Sequence, residues 1–326
     1  MNGNFIWGMY LRLGLHFDAV NPTSRTGRYL GDETRVDWKR VDGRVERMAA
    51  AGMNTLLLEL GEAMEFACLP KAHLRGQVKA AEVNEHIRKW KDMGIETVPI
   101  LEFSAIHSEW MGEYCRMTAT PPYREKCREI IRETYETLEK PRFIHIGMAD
   151  ETNRLNDGDL VAFRQKEVLW NELKFFSDEI VKTGARPWMW GDAVGTHLDT
   201  FAGKLPKDFL VSYRWMVNVT TGDKIPESES KWIETFDRIN AAGYDQVPVC
   251  STNGWYQRGR ARSVETVLNP PYLAKYVRSH VSPERLKGIC CFGDYLPDET
   301  GDRVQRQTCE VFGKVKNNWD SNSGTM

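Results

Sequence analysis

The sequence predicts a single-domain α/β fold of the (β/α)8 TIM-barrel type, and three observations carry that reading. The chain has 326 residues, close to the span of one large α/β barrel. Eight short apolar runs alternate with stretches that repeat apolar residues at three and four spacing, the strand-then-helix pattern that builds a parallel sheet. Neither GxGxxG nor GxxxxGK[ST] occurs, so the phosphate loop that a doubly wound nucleotide-binding sheet needs is missing.

The expected strands are 5–14, 53–60, 97–103, 143–147, 187–191, 209–215, 247–251 and 288–292. Their near-continuous apolar character suits strands buried on both faces. Between them, Val41, Val45 and Met48, then Val83, Ile87 and Trp90, then Cys127, Ile130, Ile131 and Tyr135, then Leu169, Leu173, Phe176 and Ile180 mark helical faces. Gly52, Gly94, Gly184 and Gly243 each sit where a left-handed cap ends a helix before the next strand. No linker, low-complexity block or short repeat divides the chain. The barrel is assigned to residues 1–316, and the polar stretch 317–326 is expected to form a flexible, frayed tail.

Lys plus Arg number 44 against 46 Asp plus Glu, a net charge of −2, which argues against a nucleic acid partner held by bulk electrostatics. Mean hydropathy is −0.51, and no apolar run approaches the roughly 18 residues of a membrane span, so no membrane partner is expected. Seven cysteines without a CxxC spacing read as reduced core residues, which favours the cytoplasm. No basic segment followed by a purely apolar core opens the sequence, so no export signal is expected in it. There is no HExxH or other tight histidine spacing, and neither metal nor cofactor is expected. The oligomeric state is left open.

In a barrel the strand C-terminal ends converge on one mouth, and here those ends are rich in acids. Glu59 and Glu62 follow strand two, Glu102 strand three, Asp150 and Glu151 strand four, Asp192 strand five and Asp294 strand eight. Strand seven ends in Cys250 to Tyr256 with no acid. Aromatic residues accompany the acids at Trp110, Trp188, Trp190, Trp215, Trp255, Tyr256 and Phe292, and flat rings suit the apolar face of a neutral sugar. Of Trp188 and Trp190 one is expected to face the interior, and Trp190 is assigned to the site.

Glycosidic cleavage needs a protonated acid near the leaving oxygen and a group that supports the oxocarbenium-like centre. An Asp-Glu pair after a strand also suits a helix cap, but its place after strand four favours the mouth. The missing acid on strand seven counts against a protein nucleophile on the opposite side. A substrate 2-acetamido oxygen can replace it, with Asp150 orienting the amide and Glu151 acting as general acid and then base. Glu102 stands evenly between a buried ion pair and a sugar contact. His107 and His145 read as hydrogen-bonded scaffold rather than metal ligands.

The stretch Phe143-Ile-His-Ile-Gly-Met-Ala-Asp-Glu151 resembles the glycoside hydrolase family 20 β-N-acetylhexosaminidases, whose motif at this strand is His-x-Gly-Gly-Asp-Glu. Ala51-Gly-Met-Asn54, Gly94 through Glu102 with His107, Trp190-Gly-Asp192, Ser251 through Tyr256 and Phe292-Gly-Asp294 fall in the same order, so the resemblance spans nearly the whole chain. It implies a retaining, substrate-assisted hydrolase acting on terminal β-linked N-acetylglucosamine or N-acetylgalactosamine. Asp150 would hold the acetamido nitrogen, Glu151 protonate the leaving group and Tyr256 donate to the acetamido oxygen. Trp190 and Trp215 would wall the acetamido pocket, and Asp294 would hold sugar hydroxyls. Trp7 takes the place of the family's sugar-binding arginine, for which Arg12 is the nearby candidate; Glu62 stands for an aspartate and Phe292 for a tryptophan. Glu102, His107, His145, Asp192 and Trp255 complete the substrate-binding candidates. The resemblance also allows a secreted or periplasmic location. The alternatives are a barrel glycosidase of other glycan specificity and a catalytically impaired carbohydrate-binding barrel.

Overall fold

The computed structural model describes residues 5–14, 33–70, 74–105, 107–149, 164–215, 227–252, 269–293 and 299–322. In chain order the elements are β1 (Ile6–Arg12), α1 (Trp38–Ala50), β2 (Thr55–Glu59), α2 (Ala80–Asp92), β3 (Glu96–Ile100), α3 (Pro121–Thr137), β4 (Phe143–His145), α4 (Lys166–Thr183), β5 (Arg186–Trp190), the short α5 (Asp192–Thr196), β6 (Leu210–Ser212), β7 (Arg214–Trp215), α6 (Glu227–Ala241), β8 (Asp245–Gln246), β9 (Val249–Ser251), α7 (Asn269–His280), β10 (Gly288–Phe292) and α8 (Glu299–Asn322). The strands form one parallel sheet in the order β7-β9-β10-β1-β2-β3-β4-β5-β6-β8. This is an α/β architecture with a curled parallel sheet, and it fits a TIM-like barrel.

Each of the eight expected apolar runs supplies sheet residues; run six supplies two pieces, β6 and β7, while run seven supplies β9 and the sheet extends before it into β8. Between β8 and β9 the ladder breaks at Val247 and Pro248, where proline has no N–H for it. Around the break, Val247 N donates to Val211 O and Val249 N to Tyr213 O, both at 3.0 Å. Gly52, Gly94, Gly184 and Gly243 all take positive φ, so the expected helix stops are where the sequence placed them.

Side chains alternate between two apolar layers, as the two-residue period of a strand requires. One layer holds Tyr10, Leu57, Ile100, Phe143, Trp188, Trp190, Leu210, Val249 and Phe292 on the inner face. The other holds Trp7, Met9, Leu56, Leu58, Val211 and Tyr213 with the apolar stripes of the helices. Trp188 and Trp190 therefore share the inner face, against the expectation that they part: residues two apart on a strand point the same way. The Trp188 indole N–H donates to Ser212 Oγ at 2.8 Å.

Helix α8 continues to Asn322, so residues 317–322 are helical. Phe312, Val315 and Trp319 lie at three and four spacing on its inner side. The Trp319 ring packs 5.5 Å from Phe5 and 5.8 Å from Trp7, which ties the end of α8 to the start of β1. No helix among the described residues is long and apolar enough to cross a membrane.

Candidate active site

The inner-facing positions at the C-terminal ends of the strands bring together Tyr10 and Arg12 from β1, Glu59 from β2, Glu102 just past β3, His145 from β4, Trp190 from β5 and Phe292 from β10. Three rings fill the centre: Tyr10 lies 5.3 Å from Phe292 and 5.9 Å from Trp190, and Trp190 lies 5.4 Å from Phe292. These edge and tilted contacts suit aromatic quadrupoles.

On one side the Tyr10 hydroxyl donates to Glu59, and Arg12 Nε stands 3.1 Å from the other Glu59 oxygen. Burial works against the Arg12 charge, but Glu59, Tyr10 and Glu62 around it hold the guanidinium protonated well above the already high arginine value. Glu62 is itself buried, and its carbonyl accepts from Gln77 at 3.2 Å.

On the other side the Trp190 indole N–H donates to Glu102 Oε2 at 3.1 Å, and the Ala149 backbone N–H to Oε1 at 3.4 Å. Burial pushes the Glu102 carboxyl above the usual carboxylate range; His107 opposes the shift and Glu59 adds to it by like-charge repulsion. Glu102 sits at φ +26 and Met148 at φ +68, conformations that non-glycine residues hold at a cost. Gly147, at φ +74, leaves room that a β-carbon would close: such an atom would stand 2.2 Å from Glu102 Oε1.

His145 is fully buried, with its ring centroid 4.2 Å from that of Trp190. The Gly147 N–H donates to its Nδ1 at 2.9 Å, so the ring proton sits on Nε2. Burial lowers its pKa well below the ordinary histidine value, and the ring stays neutral. His107 follows β3, and its backbone N–H donates to Ser104 O at 3.2 Å.

Asp192 opens α5, where Arg214 Nη2 donates to its Oδ1. Both side chains are largely buried. Arg214 is a residue that the inventory of acids and rings overlooks. The signal for it is parity: Leu210 and Ser212 face inward, so Arg214 does too, while Val211, Tyr213 and Trp215 face the helices. Tyr10 is found the same way, two positions past Gly8. Trp215 accordingly does not wall the mouth; its ring packs on Phe236 of α6 at 6.1 Å and on Tyr276 of α7 at 5.4 Å.

The expected site residues Asp150, Glu151, Trp255, Tyr256 and Asp294 lie outside the described residues. The chain enters that first segment directly from Ala149, whose N–H rests on Glu102.

No protein-family profile matches the sequence, and no curated protein matches it. Solved structures do. A β-N-acetylhexosaminidase from Bacteroides fragilis aligns with a TM-score of 0.65 at 13% identity, over 96% of this chain and 66% of that one. A GH20 exo-β-N-acetylglucosaminidase from Vibrio harveyi in complex with N-acetylglucosamine aligns at 0.63 and 13%, over 97% and 57%. Dispersin B aligns at 0.57 and 12%, over 86% and 94%. The chain thus spans 57% to 66% of the length of the first two, and at these identities the likeness is one of fold. Over most of its length the chain shares the fold of structures described as glycoside hydrolase family 20 β-N-acetylhexosaminidases.

Proposed function

We propose that the sheet closes into a (β/α)8 barrel and that this barrel is a retaining, substrate-assisted glycoside hydrolase for terminal β-linked N-acetylhexosamine. Closure is supported by register. Leu210 lies opposite Asp245 and Arg214 opposite Val249, one common offset, so β6 with β7 and β8 with β9 read as two strands, each interrupted once. Merging them leaves eight strands and no free edge among the described residues, the number that a barrel of this class uses.

The observation that carries the function is the set of buried acids and rings at the strand C-terminal ends, where barrel enzymes keep their chemistry, with Asp150 and Glu151 following directly on the Ala149 held by Glu102. In this reading Asp150 accepts from the acetamido N–H and turns the acetamido oxygen toward the anomeric carbon. That oxygen forms the new bond while Glu151 gives its proton to the departing oxygen. Tyr256 donates to the attacking oxygen. Glu151 then takes a proton from water as the water opens the cyclic intermediate, and two inversions leave the configuration retained. The fold shared with β-N-acetylhexosaminidases supports the same reading.

The test is Glu151→Gln, which is expected to lower turnover of an aryl 2-acetamido-β-glycoside with a poor leaving group by about 10² to 10⁴. Unchanged turnover would remove Glu151 from the acid role. The outward packing of Trp215 takes one expected wall from the acetamido pocket and favours, as a second reading, a barrel glycosidase of other glycan specificity. Equal turnover of aryl glycosides with and without the acetamido group would decide for it.

A further inference from the structure

We propose that Glu102 is a positioning residue: its carboxylate ties the exit of β4 to the end of β5 and fixes the direction in which the chain leaves Ala149. This rests on the hydrolase reading for its kinetic consequence, since the chain leaving Ala149 carries the two acids.

The geometry is that of a clamp rather than a sugar contact. One oxygen takes the Ala149 backbone N–H and the other the Trp190 indole N–H, so each serves a different element. The residue is only 4% exposed, which leaves a hydroxyl-bearing ligand little approach. Trp190 is held to the same turn a second time, its backbone N–H donating to Gly147 O at 2.9 Å. Gly147 presents a bare Cα where any side chain would displace the carboxylate. Glu102 and Met148 both hold positive φ, strain that persists only where surrounding contacts over-determine it. Two strained residues and a glycine meeting at one carboxylate place that cost at a single joint.

Glu102→Gln keeps the shape but has one acceptor oxygen, so either Ala149 or Trp190 then faces an NH2 group. For an aryl 2-acetamido glycoside, kcat is expected to fall about 10- to 100-fold, as small misplacements of catalytic groups do, with KM within about twofold. The Trp190 indole N–H proton resonance is expected to move. Gly147→Ala, which displaces the carboxylate without altering it, is expected to reproduce both effects. A raised KM with unchanged kcat would mean that Glu102 touches substrate and would overturn the proposal, as would unaltered kinetics or an unmoved Trp190 resonance. Wild-type protein without turnover sinks the hydrolase reading instead. The clamp is then decided by the Trp190 resonance and by amide exchange at Ala149, both of which must change in Glu102→Gln for it to stand.

Discussion

Glu102 at the mouth and Asp302 on α8 are both carboxylates with several donors around them, yet the fold moves their protons in opposite directions. Burial opposes the charged form of Asp302, but Arg44 and Arg40 hold its carboxyl below the ordinary aspartate range. Their Nε atoms stand 2.9 and 3.0 Å from it, and Arg47 Nη2 stands at 3.6 Å. Glu102 is buried more deeply, and the donors that touch it, an indole and a backbone amide, are neutral dipoles. Neutral donors offset desolvation less than formal charges do; His107 opposes the shift and Glu59 adds to it, but burial prevails. Asp302 is thus a staple between α1 and α8 that favours folding. Glu102 is an acid held against its preference, as perturbed groups in functional sites often are.

The largest expected effect that sharpens this contrast falls on the mouth's other charged pair. Arg214→Met leaves Asp192 buried with its cation gone, and should cost about 3 to 5 kcal/mol of stability in urea unfolding. The double variant Arg214→Met/Asp192→Asn should regain most of that loss, because the penalty lies in the abandoned charge rather than in a missing attraction. A single variant within about 0.5 kcal/mol of wild type would show that the pair behaves as an exposed surface bridge.

The staple comes next. Asp302→Asn keeps the side-chain shape and is expected to cost about 2 kcal/mol at neutral pH, the range of hydrogen bonds to charged groups. Because the folded pKa of Asp302 is depressed, its contribution is present above the ordinary value of 3.8 and is lost as pH falls through the folded value. The gap between wild type and Asp302→Asn should therefore close on acidification. A gap that stays constant into acid would mean that Asp302 holds α1 by shape and not by charge.

Much of the fold is readable before any coordinates, because β2, β5 and β10 are apolar on both faces and the glycines that end α1, α2, α4 and α6 stand just before the next strand. That same two-sided burial hides parity. In 209–215 five of seven residues are apolar or aromatic, so residue type points to Trp215 as the site member while the two-residue period points to Arg214. The parting expected of Trp188 and Trp190 is the same confusion between type and parity. At the chain's end, Asn317 and Asn318 mask the stripe of Phe312, Val315 and Trp319, and polar composition outweighs spacing. The place of Trp190, Phe292 and Glu102 at strand C-terminal ends is legible because each lies at or near the end of an apolar run. That Glu102 faces Ala149 and Gly147 follows from the approach of β3 to β4, which local sequence does not carry.

The smallest effect separates the two acids by slope rather than by size. Glu102 has a raised folded pKa, so its contribution to stability is fully present below the ordinary glutamate value of 4.5 and is lost as pH rises through the folded value. Gln at this position does not titrate. Unfolding free energies of wild type and Glu102→Gln measured from about pH 4 to about pH 8 should therefore diverge with rising pH, wild type losing ground to the variant. The sign is the reverse of that for Asp302. A wild type that gains on Glu102→Gln as pH rises would mean that the opposing influence of His107 outweighs burial at this carboxylate in solution, and the contrast between a costly acid at the strand ends and a stabilising one between the helices would fail.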